Sequence, residues 1–324
     1  MNAKDLLFVA LTIFLVGYTY VFTNGIREAR RRRAIDQGVG ADGSVAPSPL
    51  QLVIGFVTNF FDTLGVGSFA TTTAVYKLKN VVPVRLIPGT MNVGHTLPTI
   101  LQAFIYTKIV PVDSQTLILM IAASVGGAWL GASIVARWPR RKIQIAMGVA
   151  LLGAAMLLLM KAINESSHNW PLFAALDFLP KGGVALGLSG ARLAIGMAGN
   201  FVLGMLMMIG IGLYAPCMIL IYLLGMDPRA AFPIMMGSCA FLMPVSSISF
   251  VRNRSVHVRA ALGLAIGGLP AVLLAAKLVT SLSIEYVLWL VVVVVIYTSL
   301  NMLLTANREE PVGAPAGGAL QPEM

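Results

Sequence analysis

The stretch GFVTNFFDTLGVGSFATTTAVYKL (residues 55–78) is apolar enough for a membrane, yet it contains an acidic residue and two nearly adjacent glycines. A continuous membrane-spanning helix needs neither an ionisable side chain nor a Gly-x-Gly sequence at its centre. A helix broken near the bilayer midplane uses both, because the break exposes backbone donors and side-chain oxygens to a solute. We therefore predict a broken helix, with glycines at Gly65 and Gly67 and polar groups at Asn59, Asp62, Thr63, Ser68 and Thr71–Thr73.

A second stretch of the same kind is FVLGMLMMIGIGLYAPCMILIYLL (residues 201–224), in which Gly210 and Gly212 lie 145 positions after Gly65 and Gly67. Two prolines and several apolar residues also match at this offset: Phe56 with Phe201, Val57 with Val202, Ala70 with Ala215, Leu78 with Leu223, Pro83 with Pro228 and Pro88 with Pro233. The matching prolines predict an internal duplication. The alternative is that the glycine pairs match by chance, since Gly is frequent in membrane helices.

Composition identifies the class of protein. Of the 324 residues, 57% are hydrophobic and 11% are charged, whereas soluble domains contain about 25% charged residues. The net charge of +10 comes from basic residues that cluster at the ends of apolar segments, as orientation in a membrane requires. We therefore expect a polytopic membrane protein and no nucleic-acid partner.

Cysteines and histidines give no sign of a metal or redox centre. Cys217 and Cys239 both lie in apolar segments and form no CxxC motif. His95, His168 and His257 are scattered, without the paired spacing of a metal site. We expect no cofactor and no metal.

The apolar segments divide the chain into regions. Leu6–Phe22 is followed, not preceded, by basic residues, so we expect an uncleaved helix with its N-terminus outside. Further spans are expected at 86–109, 116–136, 143–160, 230–250, 260–279 and 284–304. The predicted regions are an N-terminal transmembrane helix (1–24), a cytoplasmic basic linker (25–50), transmembrane repeat 1 (51–161), an outer connecting loop (162–192), transmembrane repeat 2 (193–304) and a disordered cytoplasmic tail (305–324).

The basic clusters predict the topology. If residues 55–78 crossed the membrane fully, the cluster Arg137–Lys142 would lie outside, against the positive-inside tendency. If this segment instead enters and returns to the same side, Arg30–Arg33, Arg85, Arg137–Lys142 and Arg252–Arg259 all lie inside. Each repeat is then a broken re-entrant helix hairpin plus three transmembrane helices. Because three crossings is an odd number, the second copy is inverted, as in many secondary transporters, with one extra N-terminal helix before the first copy and the C-terminus in the cytoplasm.

Asp62 is the residue most able to carry a proton. An intramembrane carboxylate is costly and usually faces a cavity or a partner. The alternative is that Asp62 lies near the cytoplasmic face, where it is hydrated or caps a half-helix. The second copy has Met207 at the matching position, so the carboxylate is not duplicated.

The residues after each break are the candidate anion site. Ser68 and Thr71–Thr73 begin the second half-helix, whose N-terminal amides and hydroxyls bind an anion without a full positive charge; otherwise these hydroxyls bond only to their own helix. Tyr214 and Cys217 take this place in the second copy.

The next apolar segment adds Asn92, His95 and Thr96, of which Asn92 and Thr96 share a helical face. His95 is a second candidate proton carrier, or a structural hydrogen-bond partner. Ser238 is its counterpart near the matching position, and Arg192 is either an anion-recruiting residue or an interfacial anchor. The predicted substrate-binding residues are Asn59, Gly65, Gly67, Ser68, Thr71, Asn92, Gly210, Gly212, Tyr214 and Ser238; Asp62 and His95 are the predicted proton-coupling residues, and no residue is predicted to be catalytic.

The two stretches GFVTNFFDTLGVGSFATTTA and NFVLGMLMMIGIGLYAPCMILIYLLGMDP resemble the sulfite exporter TauE/SafE family of membrane permeases, over roughly residues 50–304. The resemblance implies two copies of a four-segment unit and transport of a sulfur-containing anion such as sulfite or an organosulfonate, coupled to an ion gradient. Here the family's usual run of glycines is replaced by Gly65-Val66-Gly67, preceded by Asp62.

The expected function is thus proton-coupled secondary transport of a small anion across the cytoplasmic membrane, with the lipid bilayer as the other partner. An uncoupled channel or facilitator and a structural membrane component remain alternatives. A membrane enzyme would need a nucleophile–base pair, which is not recognisable. A homo-oligomer is left open.

Overall fold

The chain folds into α-helices in a computed structural model that describes residues 3–135, 140–166, 185–207, 212–281 and 284–308. Within these ranges there are eleven α-helices and three short 3₁₀ turns, at Ile35–Gln37, Val84–Leu86 and Pro228–Ala230. The helices are α1 (Ala3–Arg31), α2 (Pro49–Thr63), α3 (Ser68–Leu78), α4 (Ile87–Ile109), α5 (Ser114–Val135), α6 (Arg140–Ser166), α7 (Gly190–Met207), α8 (Tyr214–Leu223), α9 (Ala231–Arg252), α10 (Val258–Ser281) and α11 (Ile284–Arg308).

Five described helices are long and apolar enough to cross a membrane: Lys4–Arg31, Gly190–Met207, Pro228–Arg252, Val258–Val279 and Trp289–Ala306. Helices α4, α5 and α6 have 23, 22 and 27 residues, which also reaches the roughly 20 residues that a spanning helix needs. The multi-pass membrane class predicted from composition is therefore confirmed. Most helix ends differ from the sequence-based ones by one to three residues, and three differ by more: α1 continues past Phe22 to Arg31, α6 continues past residue 160 to Ser166, and α11 continues past residue 304 to Arg308.

The predicted break in the first glycine-containing stretch is confirmed. Helix α2 starts with a reciprocal capping box between Ser48 and Gln51 and a proline at its first turn, and it ends at Thr63. Gly65 and Gly67 then adopt φ values of +95° and +86°, a region that side chains strongly disfavour. Helix α3 begins directly afterwards, at Ser68. The glycines therefore allow the chain to leave one half-helix and start another.

The second stretch is likewise divided into two helices, because α7 ends at Met207 and α8 begins at Tyr214. Residues 208–211, which include Gly210, lie outside the described ranges. The outer connecting loop predicted for 162–192 also falls mostly outside, in residues 167–184, as do Arg137 and the tail beyond residue 308.

One end of the helix bundle is rich in arginine, and we call it the basic end. Here the Arg85 guanidinium, in the turn after α3, lies 3.6 Å from the Asp36 carboxylate in the linker before α2. Arg259 Nε donates to Ala46 O at 2.8 Å, and Arg254 lies 3.8 Å from Glu28 near the end of α1. The hairpin α2–α3 therefore starts and finishes at the same end of the bundle.

The opposite end, which we call the far end, holds both ends of the second hairpin. Asp113 N, just before α5, donates to Leu186 O at 2.7 Å. Asp227 N, in the turn after α8, donates to Ala185 O at 2.9 Å. Helix α4 runs from the basic end to the far end, since Thr90 accepts a bond from His257 N at 2.8 Å and the helix ends beside Asp113. The hairpin α7–α8 thus opens toward the end opposite to that of α2–α3.

Each hairpin packs its first helix on a helix from the other half of the chain: α2 lies against α10 and α7 lies against α5. Glycines permit the close approach. A Cβ on Gly263 would lie 2.6 Å from the Gln51 side chain, and one on Gly204 would collide with the Ser124 carbonyl. Small residues are the usual contact surface between membrane helices. Helices α4 and α9 pack together at the centre, and α6 packs against α11.

Candidate functional site

The two hairpins meet at their breaks. The backbone of Gly65 lies against α8 and α9, so that a Cβ there would be 3.1 Å from Met218 Sδ and 3.6 Å from Met235 Cε. Tyr214, the first residue of α8, directs its side chain to the Asp62 carboxyl group of α2. The structure therefore brings together Asp62, Gly65 and Ser68 from the first predicted site and Tyr214 from the second.

Asp62 is buried, with 2% of its surface exposed. Its Oδ1 accepts a hydrogen bond of 2.6 Å from the backbone N–H of Ser68, the first residue of α3. A negative charge is favourable at that place, since unpaired amides and the helix dipole make a helix N-terminus positive. Two alternatives to a proton-coupling role for Asp62 are a hydrated carboxylate and a carboxylate that caps a half-helix. A hydrated carboxylate does not fit the burial of Asp62, whereas a capping carboxylate fits its hydrogen bond from Ser68.

Gln102 of α4 contacts the other carboxylate oxygen. Its Nε2 donates to Asp62 Oδ2 at 3.0 Å and to Thr63 Oγ1 at 2.8 Å. Its Oε1 is buried and has no hydrogen-bond partner. An unpaired buried acceptor is costly and rare, so Gln102 is held in an arrangement that leaves one of its polar atoms available.

His95 is fully buried and both of its ring nitrogens are engaged. Asn59 donates its amide hydrogens to Gly55 O at 2.7 Å and Leu264 O at 3.3 Å, so its Oδ1 is left to accept from His95 Nδ1 at 2.9 Å. His95 Nε2 is then the acceptor for the Thr72 hydroxyl at 3.0 Å. This network ties α2, α3, α4 and α10 together and suits a neutral imidazole.

Asn92 lies almost one helical turn from His95 toward the basic end and Thr96 directly follows His95; both have partners on α9. Asn92 Oδ1 accepts from Ser246 at 2.9 Å and from Ser247 at 3.0 Å. Thr96 Oγ1 lies 3.1 Å from Ser247 Oγ. These residues therefore join α4 to α9 rather than to the hairpin breaks.

The remaining predicted binding residues are dispersed. Thr71 is half-buried and bonds to Ser68 O of its own helix at 2.9 Å. A Cβ atom added to Gly67 would have no neighbouring atom within 4 Å. Gly212 is exposed. Ser238 is fully buried; Asn200 Nδ2 lies 3.5 Å from its hydroxyl, on the α5–α7 side of the molecule.

In the second hairpin, Asn200 makes a contact like that of Asn59, although at the offset of 145 residues it matches Gly55 and not Asn59. Its Nδ2 donates to Met120 O of α5 at 2.7 Å, as Asn59 donates to Leu264 O of α10. Its Oδ1, however, is buried without a partner. The polar contact between helices is thus repeated, but the histidine network attached to it is not.

The second hairpin contributes sulfur to the contact between the breaks. Cys239 Sγ lies 3.7 Å from Met207 Sδ, and Cys239 is also beside Tyr214. Cys217 and Met218 are buried in the same cluster. Sulfur side chains form an apolar, polarizable wall, so among its described residues this half of the site offers only the Tyr214 hydroxyl as a strong polar group near Asp62.

Sequence reasoning missed Thr99, Gln102 and Tyr106. They follow His95 at spacings of four, three and four residues, which places all four on one face of α4. Tyr106 donates to Thr63 O at 2.8 Å, and Thr99 interacts with the Tyr214 hydroxyl. The periodic polar residues of α4 were a signal that could have identified this face.

The charge balance around the site is unusual. In the part of the chain that the structure describes, no lysine or arginine is classed as buried. No group of three histidine, cysteine, aspartate or glutamate side chains in these ranges is arranged to hold a metal ion. An anion at the breaks would therefore be bound by neutral donors.

Comparison with protein families finds that the model described as "Sulfite exporter TauE/SafE" matches residues 2–158 and 191–322. This match extends beyond residues 50–304 at both ends and includes α1. Comparisons with curated proteins and with solved structures found no match.

Proposed function

Since this chain belongs to the sulfite exporter TauE/SafE family, we propose that it is a secondary active transporter of a small sulfur-containing anion, such as sulfite or an organosulfonate. The observation that carries the proposal is the meeting of two helix breaks at one buried carboxylate, Asp62, with Tyr214 from the second break beside it. Interrupted helices that meet inside the membrane form the solute sites of many transporters.

We further propose that the two halves are inverted repeats. In support, α2–α6 and α7–α11 have the same order, and their starts agree closely with the sequence offset: Ser68 with Tyr214, Ser114 with Val258 and Arg140 with Ile284. The cross-packing is reciprocal, α2 on α10 and α7 on α5. The two hairpins also open toward opposite ends, as inversion requires.

The proposed orientation follows from charge. The basic end contains or adjoins three groups of arginines: Arg30–Arg33, Arg85 and Arg252–Arg259. The positive-inside tendency therefore predicts that this end lies in the cytoplasm. The N-terminus of α1 is then outside, and α11 ends in the cytoplasm. Cysteine labelling from outside cells, at introduced Ser189→Cys and Asn253→Cys, tests this orientation: modification at 189 alone supports it.

Proton coupling is proposed for Asp62, the only carboxylate near the contact between the breaks in the described ranges. The test is uptake of labelled sulfite and of a small sulfonate by proteoliposomes, with and without an inward proton gradient. Gradient-stimulated, saturable uptake is expected in the wild type. Asp62→Asn should abolish the stimulation of uptake by the proton gradient, because an amide cannot carry the proton. The gradient-driven uptake should fall at least about tenfold.

The matched control is Asp113→Asn, which removes a carboxylate that caps α5 at the far end, where Asp113 Oδ2 accepts from Thr116 N at 2.8 Å. It should keep the gradient dependence. Saturable uptake that ignores the gradient in the wild type would instead favour a facilitator for the same anions. Absence of uptake for a wider panel of anions would refute transport.

A further inference from the structure

The Asp62 carboxylate occupies the position that an anionic solute would be expected to take. The backbone N–H of Ser68 lies at the break of the first hairpin, and it donates to Asp62 Oδ1 at 2.6 Å. The N-terminus of a helix of 11 residues is a favourable place for an anion. In this structure the anion in that place is part of the protein itself.

Charge prevents Asp62 and a solute anion from being accommodated together. No cation is buried near the break in the described ranges, so a charged Asp62 beside a charged solute would place two negative charges in a poorly hydrated site. Two negative charges that share one site repel each other strongly where water is excluded. One negative charge, on either Asp62 or the solute, is the arrangement that the neutral donors there can stabilise.

Gln102 supplies the group that a protonated Asp62 needs. Its Nε2 faces Asp62 Oδ2 at 3.0 Å, and its Oε1 is buried with no partner. Rotation of the amide group by half a turn would direct Oε1 toward Asp62, where it could accept a hydrogen bond from the carboxylic acid. The Gln102 amide can therefore donate to the charged carboxylate or, after rotation and loss of the Nε2 bond to Thr63 Oγ1, accept from the carboxylic acid.

We propose that Asp62 is a tethered competitor of the transported anion at the N-terminus of α3, and that this competition couples proton and anion. A proton from solution neutralises Asp62 at Oδ2, which then donates to Gln102 Oε1, and the uncharged Oδ1 becomes a weaker acceptor for the Ser68 amide. The solute anion accepts the Ser68 N–H in its place. One proton and one monoanion therefore bind together and cross in the same direction. This rests on the proposed transport function and specifies its mechanism.

The other titratable groups that face Asp62 are Tyr106 on α4, Tyr214 on α8 and Cys239 on α9. All three are uncharged when protonated, and burial favours that uncharged form. His95 is held by Thr72 and by Asn59, which lies almost one helical turn before Asp62 on α2. Asp62 is therefore the group whose charge changes with the occupancy of the site.

The test is the affinity of the purified protein for methanesulfonate, which keeps its charge over the whole pH range used, unlike sulfite. Above the pH at which Asp62 loses its proton, the wild-type Kd should rise about tenfold per pH unit, the slope for one linked proton. Asp62→Asn should bind with a Kd that does not change with pH. Asp113→Asn, the control carboxylate at another helix N-terminus, should keep the wild-type slope.

A second pair of variants tests the amide itself. Ser68→Pro removes the N–H at the first position of α3, where proline is tolerated, and the preceding Gly67 has ψ of 134°, which suits a residue before proline. Ser68→Ala keeps the N–H and loses the hydroxyl. Ser68→Pro should weaken methanesulfonate binding at low pH by about tenfold or more relative to Ser68→Ala, since a hydrogen bond to a charged group is lost.

The outcomes separate the two proposals. Binding that is independent of pH in the wild type would overturn the competition mechanism and leave transport standing, as would equal affinities for Ser68→Pro and Ser68→Ala. Failure to bind or transport methanesulfonate, sulfite and the wider panel of anions at any pH would overturn the proposed function and this mechanism with it. The wild-type slope needs no variant, so a misfolded Asp62→Asn would not prevent a decision.

Discussion

The two broken hairpins meet at their tips, but they bring different chemistry to the contact. The first contributes Asp62 and Ser68, and behind them the Asn59–His95–Thr72 network. The second contributes Met207 and Tyr214, of which Tyr214 alone has a strong polar group, and Cys239 of the neighbouring α9 lies beside both. Each hairpin consists of two helices with a break between them, whereas the carboxylate at the contact comes from the first hairpin.

This difference teaches that the helix architecture and the chemistry of the site are separate requirements. Both hairpins need a break, small residues against a partner helix and an asparagine that bonds across to that helix. Only one proton-carrying group is needed for one coupled step. A second buried carboxylate in the other hairpin would add an uncompensated charge at the same contact.

The largest difference in stability is expected between the two asparagines. Asn59→Leu leaves His95 Nδ1 and the Leu264 carbonyl without their partner, so we expect a loss of about 2–4 kcal/mol in unfolding free energy. Asn200→Leu removes one bond to Met120 O and also removes an unpaired Oδ1, so its cost should be about 1 kcal/mol or less. Thermal unfolding of detergent-purified protein compares them. Equal losses would show that the His95 network adds nothing to the first hairpin.

The helix-pairing glycines should behave alike in both halves. A Cβ on Gly55 would collide with the Gly263 carbonyl of α10, and one on Gly204 with the Ser124 carbonyl of α5. Gly55→Ala and Gly204→Ala should therefore each destabilise by about 1–3 kcal/mol. Gly17→Ala and Gly153→Ala are the controls, because a Cβ at either position has no neighbour within 4 Å. The same unfolding assay applies; a large effect in one hairpin alone would contradict reciprocal packing.

The smallest expected effect concerns the anchoring of the first hairpin at the basic end. His257 accepts the Ala260 N–H at 3.2 Å, and so caps α10. Burial, with a smaller contribution from Arg259, holds the pKa of His257 below its usual 6.5. Since the unfolded state then binds the proton more tightly, this contribution to stability is complete above pH 6.5 and is lost as the pH falls below it.

Hydrogen exchange in the linker at residues 34–46 and at the start of α10 should therefore increase modestly on mild acidification. The far-end turn at Asp227 should change less, since it contains no histidine among its described residues. His257→Asn keeps a capping side chain that does not titrate, and it should remove the pH effect. If acidification increased hydrogen exchange equally at the basic end and at the far end, His257 would be excluded as the cause of the increase.

The sequence alone determined the membrane class, the position of the first break and the family. Charged residues are too few for a soluble chain, and Gly65 and Gly67 permit backbone angles that other residues resist, so both conclusions follow from local physics. The matching glycines and prolines pointed to a second hairpin for the same reason. The motifs around both breaks carried the family resemblance.

The tertiary structure alone decided which polar groups meet. Asn92 and His95 are three residues apart and therefore neighbours on the surface of α4, yet one bonds to α9 and the other to α2 and α3, because different helices pack against adjoining parts of that surface. Gln102 contacts Asp62 across 40 positions of chain, a pairing that no local pattern specifies. The capping of α3 by Asp62 likewise depends on how the chain turns at the break, and this contact gives the carboxylate its proposed role as a competitor of the solute.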